Sequence, residues 1–154
     1  MMKVRIATAV ALVAQLAVVA ADAQTPAQAP AATCLQPAEV TQQHLLGLWR
    51  AQFDGLGQGA TLLLEPHPEL RDSVRGAINR HGERAVVAGD VEQGEFTLEE
   101  SENGINISAT WVGDVVAGSC GHEIRGTWQS AAGTAPLGFV LRKIHEAGPK
   151  LVVP

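Results

Sequence analysis

The chain has 154 residues, 46% of them apolar, and a formal net charge of −5 from 11 basic and 16 acidic side chains. That balance excludes nucleic acid, whose binding needs lysine and arginine clustered on one face, and it disfavours an anionic membrane surface. Two cysteines and five histidines are the only sulfur and imidazole ligands apart from two methionines, too few and too scattered for a predicted metal centre.

Met1 to about Ala23 reads as a cleavable secretory signal peptide. Lys3 and Arg5 supply the positive start, Ile6 to Ala21 is an apolar run broken only by Thr8 and Gln15, and Ala21-Asp22-Ala23 is a small-x-small cleavage site before Gln24. The run of about 16 residues is short for a bilayer, which takes roughly 20. Cys34 stands too far beyond the cleavage site for a lipid anchor. Losing Lys3, Arg5 and Asp22 with the leader takes the counts from 11 basic and 16 acidic to 9 and 15, a net charge of −6. The remaining chain, about 131 residues, suits one domain with a single core. The expected location is periplasmic or secreted, with no membrane span after leader removal. In an oxidising compartment Cys34 and Cys120 are most simply one disulfide. Closing a loop of about 85 residues would stabilise the fold by at most about 4.6 kcal/mol in the chain-entropy picture.

Residues 24–33, QTPAQAPAAT, form a Pro/Ala-rich tether with nothing to bury. The domain proper is expected over 34–145, followed by a tail at 146–154. Pro37 to Leu46 is the one predicted helix, with Pro in its first turn, Glu39 close behind and Gly47 as its stop. From there the pattern changes to period 2, which predicts eight strands: Gly47 to Phe53, Ala60 to Glu65, Ser73 to Arg80, Arg84 to Val91, Glu95 to Ser101, Ile105 to Val112, His122 to Gln129 and Leu137 to Lys143. Turn residues separate them, and Asn103-Gly104 carries the strongest type I′ hairpin signal. The links are short, so sequence neighbours pair in space. The predicted fold is all-β, an eight-stranded antiparallel up-and-down barrel with a short N-terminal helix, closed so that no edge is left exposed.

Alternation assigns the inward side chains. Phe96 and Leu98 share one face; so do Ile105, Ile107, Ala109 and Trp111; so do Ile124, Gly126 and Trp128, and Leu137, Phe139 and Leu141. Nearly every inward residue is apolar, which predicts a filled lumen with at most a small dry pocket near Trp111 and Trp128.

A short helix, then Gly47-Leu48-Trp49 opening the first strand of a meander, then a basic residue in the last strand (FVLRK), resembles the calycin superfamily. That group joins lipocalins, avidins, fatty-acid-binding proteins and periplasmic metalloprotease inhibitors. The resemblance implies that Trp49 closes the barrel floor and that a basic side chain packs across its ring. Residue type favours Arg142 for that partner, whereas inward parity favours Lys143.

No catalytic residue, metal ligand or cofactor site is expected. His44, His67, His81, His122 and His145 fall on the helix, on turns or past the last strand, and none shares a face with another. Ser73, Ser101, Ser108 and Ser119 lack a nucleophile elbow. Glu99 and Glu100 are adjacent in a strand and so point to opposite faces, which reads as a solvated acidic hairpin. A G-D-V-x-x-G echo at Gly89 and Gly113 marks barrel bends, with an ion site at Asp90 and Asp114 as the sharper alternative. Asn106-Ile107-Ser108 is a glycosylation sequon. Two function classes stay open. The leading one is an exported, non-catalytic module that binds another envelope or secreted protein, inhibition included. The other is a lipocalin-like carrier of a small apolar ligand.

Overall fold

The computed structural model describes residues 34–144. The signal peptide, the tether, His145 and the tail at 146–154 lie outside the described residues. Eight strands form a closed barrel, as the period-2 pattern predicts: β1 (Gly47–Phe53), β2 (Ala60–Pro66), β3 (Ser73–Arg80), β4 (Glu83–Glu92), β5 (Glu95–Ser101), β6 (Ala109–Val115), β7 (Glu123–Ser130) and β8 (Leu137–Lys143). Each pairs antiparallel with its neighbour in sequence. β1 closes on β8, with Trp49 opposite Lys143 and Phe53 opposite Phe139.

The inward rows fill the lumen. Trp49, Leu62, Ile78, Phe96, Leu98, Trp111, Ile124 and Leu141 are all at most 1% exposed. Burying side chains of this size contributes about 1.5–3 kcal/mol each, so the core outweighs any single surface contact. Strand bending is met by inward glycines. Gly113 and Gly126 stand directly opposite one another on β6 and β7, where the backbones come so close that a Cβ on Gly126 would overlap Val112 O and Gly113 Cα.

Three local expectations are corrected. The predicted helix Pro37 to Leu46 is two separate turns, a 3-10 turn (Pro37–Glu39) and α1 (Gln42–Leu45). Val40 adopts an extended conformation at φ −72°, ψ 125°, and the Thr41 N–H donates to His44 Nδ1 at 3.0 Å, starting a new turn instead of continuing the old one. The type I′ hairpins are His81-Gly82 (φ 56° and 90°) and Gln93-Gly94 (φ 51° and 90°), each the two-residue link of its hairpin. Asn103-Gly104 belongs instead to a longer loop. Asn103 Oδ1 accepts the N–H groups of both Ile105 and Asn106 at 2.9 Å, which removes those donors from any ladder. β6 therefore begins at Ala109, four residues later than predicted, and Ile105 is 86% exposed. Ile107 is exposed too.

Cys34 and Cys120 form a disulfide, with Cα atoms 4.7 Å apart. It fastens the N-terminal segment to the loop between β6 and β7.

Replacing Gly126 with Ala is expected to cost about 1–3 kcal/mol, the usual range for overpacking, measured as a fall in the urea midpoint with an unchanged slope. Wild-type stability in the variant would show that the β6–β7 approach is not tight.

Candidate functional site

The two ends of the barrel are closed by different chemistry. At the helical end the Trp49 indole N–H donates to Leu45 O at 2.7 Å and Lys143 Nζ donates to His44 O at 2.6 Å. The Lys143 ammonium lies 5.6 Å from the Trp49 ring centroid. Burial pushes the Lys143 pKa below the usual lysine value. A carbonyl at the end of α1 is a natural partner for a cation. Arg142 points outward. Its Nε donates to Glu123 Oε2 at 2.9 Å and its guanidinium also reaches Gln52 Oε1 at 2.7 Å. Glu123 accepts from Arg125 as well, at 2.6 Å. The hydrogen bond from Arg125, then that from Arg142, outweighs partial burial and holds the Glu123 carboxyl below its ordinary pKa of 4.5.

The opposite end, the mouth, is organised around a carboxylate inside the lumen. Glu100 is 3% exposed. Arg80 donates to it through both terminal nitrogens, each at 3.2 Å. The indole N–H groups of Trp111 and Trp128 donate to the same Oε2 at 3.2 and 3.3 Å. Arg80 itself lies over two rings, 5.3 Å from the Phe53 centroid and 5.2 Å from that of Trp128. Phe53, Trp111 and Phe139 continue the aromatic cluster at centroid spacings of 5.2 and 4.9 Å.

Trp111 and Trp128 face one another in register on β6 and β7. Trp111 is sealed in the core and Trp128 borders a hollow of about 70 Å³ with Phe53, Leu56, Arg80 and Leu137. The solvated-hairpin reading of Glu100 is corrected by the register. Phe96, Leu98 and Glu100 share one face, so one more step of the alternation already applied to β5 carries the carboxylate inward. Arg80 follows the same rule, since Val74, Ile78 and Arg80 share the inward face of β3. A lone charged residue at a strand end looks like a turn residue until its partner, here 20 positions away on the next strand but one, is brought beside it.

Compared with known proteins, the chain matches no family model and no curated protein sequence. Among the described residues no group of three or more His, Cys, Asp or Glu side chains could hold a metal ion, and Asp90 accepts the Thr97 hydroxyl at 2.8 Å.

Replacing Glu100 with Leu strands the Arg80 guanidinium and two indole donors, and is expected to cost about 3–5 kcal/mol, the range for breaking a buried pair. The double variant Glu100→Leu with Arg80→Met should recover part of that loss in chemical denaturation; no recovery would mean that the charges are not coupled. Glu123 supplies a pH signature. Its folded pKa lies below its unfolded one, so its contribution is complete above about pH 4.5 and lost as pH falls through the lowered folded value. The stability gap between wild type and Glu123→Gln, under about 1 kcal/mol for so exposed a pair of arginines, should be present at neutral pH and shrink in acid. A pH-independent gap would contradict the bridging role.

Proposed function

We propose that this chain is an exported, non-catalytic protein-interaction module of the cell envelope, built on a calycin-like barrel. The filled lumen is the observation that carries this reading. Ligand sites run to about 300–1,000 Å³, whereas the hollows at the mouth have about 240 Å³, beside Arg80, Glu100 and the charged rim, and about 70 Å³, beside Trp128, both below the size of a site for a bulky apolar cargo. The space a carrier would use is taken by Phe96, Leu98, Trp111 and the Arg80–Glu100 pair. A barrel of this kind meets other molecules with its outside. Export is supported by the leader pattern and by the Cys34–Cys120 disulfide, which suits an oxidising compartment. The calycin resemblance is supported by Lys143 over Trp49.

Affinity capture from envelope extract with the oxidised chain, followed by native mass spectrometry of the captured species, tests the reading. The expected result is one protein partner in near-stoichiometric amount and a barrel mass free of adducts. A stoichiometric lipid or metabolite on the barrel would overturn it in favour of the carrier.

A further inference from the structure

We infer that the groove between the N-terminal segment and the β2–β3 loop receives an extended peptide segment of a partner protein, with the Gln42 amide reading its backbone and flanking carboxylates taking a basic side chain. This rests on the interaction reading above and names its site.

The groove lies at the helical end of the barrel. One wall is the stretch from Ala38 to Gln43, another is the end of the β2–β3 loop at Arg71 and Asp72 with Ser73 opening β3, and the third is the end of β4 with its hairpin, Asp90–Gln93. It is an open groove with a volume of about 590 Å³.

Gln42 points to a ligand. It is 7% exposed, one of two buried polar or charged residues among the described ones. The other, Glu100, is saturated by Arg80 and two indoles. Gln42 has no hydrogen-bond partner among the described residues, yet no described polar side-chain atom is sealed from solvent without one. Its amide therefore opens onto the groove that it lines. An amide offers two donors and an acceptor with two lone pairs, and a peptide backbone presents the complementary set. In the free protein water can reach these atoms, and a peptide backbone lying in the groove would take that water's place.

Charge selects the peptide. Asp72, Asp90 and Glu92 line the groove against the single Arg71, and none of these four forms an ion pair among the described residues. A segment carrying lysine or arginine is matched there, and an acidic one is repelled.

The walls are preset. The disulfide fastens the N-terminal segment at Cys34. The β4–β5 hairpin presses on Pro37, so closely that a Cβ at Gly94 would lie 2.9 Å from Pro37 Cβ. A groove held in place before binding spends little of the binding energy on ordering itself.

The test follows the Gln42 side-chain amide by NMR in the oxidised chain while two blocked pentapeptides are added, Ala-Ala-Lys-Ala-Ala and the same peptide with Glu at its centre. Saturable movement of the Gln42 signals with the Lys peptide, and at least tenfold weaker response to the Glu peptide, is expected. Gln42→Leu should bind the Lys peptide at least tenfold more weakly, read from neighbouring backbone signals, while remaining as stable as wild type. The double variant Asp72→Asn with Glu92→Gln should lose the preference for Lys over Glu. Overturning results are no movement with either peptide, unchanged binding by Gln42→Leu, clear destabilisation of that variant, or equal affinity for cadaverine, which would mean that a bare amine suffices. If envelope capture still returns a partner whose binding ignores Gln42→Leu, the groove assignment fails and the interaction reading stands. If capture returns a small-molecule adduct instead, both fail.

Discussion

Closure of the sheet on itself, β1 against β8, is the constraint on which the rest of the structure depends. Eight strands leave a lumen about as wide as the side chains that point into it. Once Trp49 is opposite Lys143 and Phe53 opposite Phe139, every inward position has a fixed volume to fill. The large residues sit where space remains, and glycines where backbones converge, as at Gly113 and Gly126. A one-residue slip in any ladder would turn a whole row of core side chains to solvent. Register and packing are thus one decision.

The lumen is not uniformly apolar, and its polar groups are placed at the two ends. The floor uses a cation, Lys143, against an aromatic ring and the carbonyl of His44. The mouth uses a carboxylate, Glu100, that gathers donors from β3, β6 and β7. A buried ion pair adds little net stability over well-packed apolar residues, but its members cannot be separated cheaply. The Arg80–Glu100 pair ties strands that are not neighbours in the barrel. It penalises any register in which the two fail to meet, which specifies the closed state more than it strengthens it.

The N-terminal segment has a different standing from the strands. It shares no ladder with the sheet, and it is held by the disulfide, by the seat of the β4–β5 hairpin on Pro37, and by Trp49 and Lys143 binding the end of α1. Those attachments leave an outer groove lined by Gln42, Asp72, Asp90 and Glu92.

Much of this architecture was legible in the residues. Period-2 alternation and frequent turn residues place most of the strands and the fold class, because a half-buried strand needs an apolar side every second residue. Trp49 and a basic residue in β8 were legible as floor components, but which base faced inward was not, since two adjacent residues of like charge differ only in parity. Asn103-Gly104 misled because a side-chain oxygen that can cap a loop competes with the tight turn its dipeptide favours, and local sequence does not weigh the two. The inward places of Glu100 and Arg80 were not legible, because a charged residue in an apolar row makes sense only beside its partner, and that partner lies 20 positions away on a strand that is not its ladder neighbour. Gln42 carried no signal at all. By itself, then, the sequence determined what depends on neighbours along the chain: strand periodicity, turn positions, an all-β barrel, and the leader pattern. Only the tertiary structure decided which polar groups meet and which are left facing a groove, because those depend on residues far apart in sequence being brought to one end of a closed sheet.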